Sequence, residues 1–128
     1  MQKKIYTVIR YLFGSGMTLF GLANLFQFLP LHSFPGNAGA LMEAFADSGY
    51  ILPTVGFTQL VLGIALISNR FIPLALLFFA PVVVNVVLFH VFMDMASIAM
   101  ALPVVAVTTY LFMYNKSAFI NLLKSESI

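Results

Sequence analysis

The chain has no cysteine. That absence excludes disulfides, thiolate metal sites and dithiol redox chemistry. Charge is nearly as scarce, since six Lys and Arg face four Asp and Glu, together 8% of the residues. Soluble domains are typically about a quarter charged and about half apolar. Here 62% of 128 residues are hydrophobic, and the mean hydropathy is +1.04. A water-soluble fold of this size would lack the polar surface that keeps it in solution. A bilayer is the expected solvent, and the length suits one compact unit covering residues 1–128. The pI near 9.1 reflects a few basic residues scattered along the chain, which excludes a nucleic-acid-binding patch.

Catalytic motifs are missing as well. No HExxH, no glycine-rich phosphate loop, no nucleophile–base pair and no paired buried carboxylates occur. The expectation is therefore no catalytic residue and a protein that is not an enzyme.

What is present is long apolar runs. A spanning helix needs about 20 mostly apolar residues, and the runs at 5–29, 50–68, 71–93 and 96–114 each qualify. The first follows Lys3 and Lys4. It is too long for a cleaved signal and lacks a small-residue cleavage site, so it reads as a retained helix. Pro53 falls in the first turn of the second run, where a missing N–H costs little. "SNR" at 68–70 reads as a tight turn. Pro81 and Pro103 are expected to kink the third and fourth spans.

Between the first two spans, residues 36–49 carry a short helical pattern. Leu41, Met42, Phe45 and Ala46 share one side, with Glu43 and Asp47 on the other. The expected fold is thus all-α, an integral membrane four-helix bundle with a short interfacial helix between its first two spans. The tail 115–128 places Phe119, Leu122 and Leu123 beside Lys116 and Lys124, a second interfacial pattern.

With four spans, both termini and the 68–70 turn share a side. That side holds Lys3, Lys4, Arg10, Arg70, Lys116 and Lys124, and the opposite one carries Glu43, Asp47 and Asp94. Basic residues near short loops stay on the cytoplasmic side. The expectation is a multi-pass protein of a bacterial inner membrane, with both termini and the 115–128 tail cytoplasmic.

In lipid, helices associate through close packing and interhelical hydrogen bonds. Thr7, Arg10, Gly14, Thr18, Gly21, Asn24 and Gln27 recur at spacings of three and four and line one face of the first span. Gly56, Gln59 and Gly63 form a matching seam on the second. At about 1.5 Å per residue, Asn24 lies about 8 Å below the outer end of its helix. Gln59 and Asn85 lie about 12–13 Å below theirs. Asn24, Gln59 and Asn85 therefore make a polar layer in the outer half. It either glues the bundle or forms a pocket for a small ligand, with Asn85 among the buried amides.

His32, Glu43, Asp47, His90 and Asp94 all map to the outer face, within reach of water and head groups. Two His with carboxylates would suit zinc, iron or manganese. The only local ligand spacings are Glu43/Asp47 and His90/Asp94, so no metal site is assigned. A haem would need axial ligands inside the bundle, and His90 lies too near the end of its span. Seven Met and fourteen Phe read as core and lipid-facing packing. A proton or ion path would place ionisable groups through the membrane centre, and the centre here holds none.

The stretches "FGLANLFQFLP", "SGYILPTVGFTQLVLGIALISNRFIPLALLFFAPVVVNVVLFHVFMD" and "YLFMY" resemble the DoxX-like family of small bacterial membrane proteins, over nearly the whole chain. The resemblance implies a four-helix inner-membrane bundle, and for some relatives a place in a quinone-linked oxidoreductase. Many members carry a basic residue where this chain has Asn24, and a glutamate where it has Gln59. Two neutral amides keep a hydrogen bond without the charges, which favours a structural or ligand-holding role. The leading expectation is a non-enzymatic accessory subunit or a module for a lipid or other small ligand. No cofactor is assigned, a quinone or a bound lipid being the one class left open, and the expected partners are the bilayer, a protein partner or a second copy. The alternative is a membrane subunit of a quinone-linked oxidoreductase.

Overall fold

The computed structural model describes residues 1–28 and 33–124. Its helices are α1 (Gln2–Phe26), α2 (Gly36–Ser48), α3 (Ile51–Ser68), α4 (Ile72–Met93), α5 (Leu102–Tyr114) and α6 (Lys116–Leu122), with a 3₁₀ segment at Met95–Met100. No strand occurs among the described residues. In lipid only internally satisfied backbone is tolerated, which is why apolar runs of this length become helices.

Three helices, α1, α3 and α4, are long and apolar enough to cross a membrane. The sequence led us to expect a fourth equal span at 96–114. Instead that run divides into the 3₁₀ segment and the 13-residue α5. At about 1.5 Å per residue, α5 reaches only about 20 Å, less than the roughly 30 Å hydrocarbon layer. Pro103 accounts for the division. It sits in the first turn of α5, where its ring favours a helix start rather than a kink. Ser97, with φ −105° and ψ 18°, interrupts helical geometry inside the 3₁₀ segment.

The other boundaries follow local chemistry. The first span ends earlier than expected, because Gln27 turns left-handed at φ 58°. At the "SNR" turn Asn69 adopts φ 57° and donates its N–H to Ala65 O, closing α3. Asparagine tolerates this left-handed cap better than other non-glycine residues.

The tightest packing joins α1 to α3. Arg10 meets Leu66, Gly14 meets Gly63 and Gly21 meets Gly56, so the two helices run antiparallel. A Cβ on Gly21 would lie 2.6 Å from Leu60 N and 2.8 Å from Gly56 O. One on Gly56 would lie 2.6 Å from Leu25 N and 2.7 Å from Gly21 O. These are backbone atoms, which cannot rotate away, so glycine is required here for the helices to touch.

Arg10 does more than line this seam. It is 7% exposed, and Nη1 donates to Leu66 O at 2.6 Å and Ile67 O at 3.4 Å. Those carbonyls belong to the last turn of α3 and have no partner within the helix. A cation at a helix C-terminus also opposes the negative end of the macrodipole. The tail of the bundle closes on the same end. Tyr6 of α1 stacks on Tyr114 with ring centroids 3.7 Å apart, and Asn115 Nδ2 donates to Tyr6 Oη at 3.3 Å. Phe119 of α6 packs on Phe112 at 4.7 Å.

These contacts gather Lys3, Lys4, Arg10, Arg70 and Lys116 at one end of the molecule. Glu43, Asp47 and Asp94 lie at the other. The aliphatic core belongs to the basic half. Met17, Leu62, Leu66, Leu76, Phe79 and Leu111 are buried together there. Around the outside, Leu12, Phe20, Phe57, Ile64, Phe78 and Val84 stay exposed, as expected of surface that meets lipid. The acidic half is packed differently, and it holds the site.

Candidate functional site: an apolar cavity beside a histidine

In the acidic half, α2 lies across α3 and α4. Ala38 anchors it, fully buried, while Glu43 and Asp47 point outward as the helical spacing requires. Its opposite face carries Leu41, Met42 and Phe45. They do not seal against the bundle but roof a cavity of about 710 Å³. The remaining walls come from Ile51, Leu52 and Val55 of α3 and from Pro81 to Met93 of α4. This size suits a small-molecule site, which is typically apolar with a few placed polar groups. The polar side chains here are Asn24, Asn85 and His90.

The amide layer is only partly as expected. Asn24 Nδ2 donates to Gln59 Oε1 at 2.8 Å, joining α1 to α3. Asn85 does not join them. It is exposed at the cavity wall, and Nδ2 bonds the Pro81 carbonyl of its own helix at 2.9 Å. The reading of Asn85 as a buried member of the layer is thus corrected. Similar depth did not produce contact, because a nearer carbonyl one turn back satisfied the amide. Asn24 and Asn85 still meet at the cavity, whereas Gln59 supports Asn24 without lining it.

The polar cluster at this end also separates. His32 lies outside the described residues. Glu43 and Asp47 are exposed on α2, and neither forms an ion pair among the described residues. His90 and Asp94, expected within reach of water, are instead buried at 6% and 9% exposure. The chain folds back over them through the 3₁₀ segment, which brings Ser97 into place. Ser97 Oγ donates to Asp94 Oδ2 and lies 3.3 Å from His90 Nδ1. The main-chain carbonyl of Asp94 lies 3.4 Å from the same nitrogen. Phe89 and Phe34 set their rings edge-on to the imidazole, at 5.2 and 6.3 Å.

Ser97 is the residue that reading the sequence missed. A signal existed, because a serine three residues after Asp94 in a non-helical stretch readily bonds back to it. No group of three or more His, Asp or Glu that could hold a metal occurs among the described residues.

The site can therefore hold an apolar molecule and hydrogen-bond its end. The hydroxyl of Ser97 and the carboxyl group of Asp94 stand beside His90, but neither residue lines the cavity. No family model, no curated protein and no solved structure matches this chain.

Proposed function

We propose that this protein is a non-enzymatic membrane module that holds a small apolar ligand in the cavity under α2. One observation carries the reading. A half-open cavity of about 710 Å³ lies between α2, α3 and α4, lined mainly by apolar side chains and bordered by Asn24, Asn85 and His90. Size and lining match a small-molecule site, which is typically apolar with a few placed polar groups. The resemblance to DoxX-like proteins, the bacterial inner membrane as location, the short fourth passage through the 3₁₀ segment and α5, and cytoplasmic termini belong to the same proposal. The collection of basic residues at one end supports that orientation.

Native mass spectrometry of the protein released gently from its own membranes tests the proposal. The expected result is one stoichiometric apolar adduct. A bare chain, or a chain seen only with a second protein, overturns it. An adduct with the mass of a quinone would favour the alternative reading, a subunit of a quinone-linked oxidoreductase.

A further inference from the structure

The hydrogen-bonding pattern around His90 says more than that the cavity is apolar. Ser97 donates its single hydroxyl hydrogen to Asp94 Oδ2. Ser97 Oγ then has only lone pairs to offer His90 Nδ1 at 3.3 Å. The second partner of Nδ1, the Asp94 carbonyl at 3.4 Å, is also an acceptor. Both partners require the proton on Nδ1. In the neutral imidazole this leaves a lone pair on Nε2.

Neither Ser97 nor Asp94 lines the cavity, whereas His90 does. Nδ1 is engaged away from the cavity, and the other ring nitrogen, Nε2, has no partner among the described residues. The two amides do not set the preference. Asn24 Nδ2 is engaged by Gln59 and Asn85 Nδ2 by Pro81 O, and neither Oδ1 has a partner among the described residues. Each amide nitrogen keeps a second hydrogen, so the amides could serve either kind of ligand. Nε2 of the neutral ring can serve only a donor.

We infer that the cavity selects an apolar molecule whose polar end is a hydroxyl, a long-chain alcohol or phenol, with His90 Nε2 as the acceptor. Ser97 and Asp94 are positioning residues that hold the tautomer. A ketone, ester or ether of the same shape brings a second lone pair against the first and leaves Nε2 unpaired. The expected discrimination is roughly tenfold. The inference rests on the proposal that the cavity is a ligand site, and the test separates the two.

The probes are para-dodecylphenol and its methyl ether, identical in tail and ring and differing only in the donor. The full-length chain in nanodiscs is exposed to both at equal concentration, and the adducts are compared by native mass spectrometry. Empty nanodiscs correct for partitioning. The inference expects a roughly tenfold excess of the phenol adduct, abolished in His90→Phe and reduced in Ser97→Ala with ether binding unchanged. Equal adducts in the wild type overturn the hydroxyl preference and leave the cavity reading standing. Binding of neither probe overturns both. Should His90→Phe fail to fold, the wild-type ratio still decides. Nitrogen NMR of the imidazole in a His32→Gln chain gives an independent readout, expected to show a protonated Nδ1 and a bare Nε2. A proton on Nε2 overturns the assignment.

Discussion

Two glycines on the same helix make opposite predictions for the same substitution. Gly21 faces α3, where an added Cβ meets Leu60 N at 2.6 Å, Gly56 O at 2.8 Å and Leu60 Cα at 2.9 Å. Gly16 faces open space, with nothing within 4 Å of its Cβ position. Replacing either by alanine gains about 0.8–1 kcal/mol of intrinsic helix preference. Only Gly21→Ala adds an overpacking cost, about 1–3 kcal/mol when neighbours must shift. Its neighbours are backbone, so α1 and α3 have to separate along the seam, and the Asn24–Gln59 bond a turn away is strained with them. Gly16→Ala should therefore stabilise by up to about 1 kcal/mol. Gly21→Ala should destabilise by up to about 2 kcal/mol. The propensity term cancels in the difference, which isolates the steric cost. Both values are accessible by titrating folded protein in mixed micelles with dodecyl sulfate and following helix loss by circular dichroism. If Gly21→Ala proves as stable as Gly16→Ala, the α1–α3 contact is not the close backbone packing described.

Three further outcomes follow from the same contacts. A double-mutant cycle on Asn24→Leu and Gln59→Leu should give a coupling of about 0.6–1.7 kcal/mol, the range for interhelical bonds in membranes. Adding Asn85→Leu should leave that coupling unchanged, and a change would return Asn85 to the amide layer. Arg10→Met should cost about 1.5–3 kcal/mol in the unfolding assay, because it frees two carbonyls from a charge-assisted donor. Arg10→Lys should fall between, since an ammonium keeps the charge but is more strongly hydrated and so costs more to bury. The cysteine-free chain also permits single thiols at exposed Ser48 and Ser117. An impermeant thiol reagent on intact cells should label Ser48→Cys, and should label Ser117→Cys only after permeabilisation. The reverse pattern would invert the orientation.

Sequence alone determined which segments are helical and where most of them stop. In an apolar solvent every backbone group must be satisfied within the segment, so composition and length suffice to mark α1, α3 and α4. Local chemistry did the rest at Asn69, and the outward Glu43 and Asp47 of α2 followed from spacing. Pro103 carried the signal for a helix start, but the surrounding apolar run concealed it. Which polar groups meet was decided by tertiary structure. Asn24, Gln59 and Asn85 looked equivalent by depth, yet two pair across helices and the third bonds its own backbone. Arg10 reaches carbonyls 56 and 57 residues away, a relation that no periodicity contains. His90 and Asp94 became a buried, oriented pair only because the 3₁₀ segment returned Ser97 over them. Hydropathy is a sum over a segment and can be read along the chain. A hydrogen bond depends on distances of a few tenths of an ångström between particular atoms, and only packing sets those.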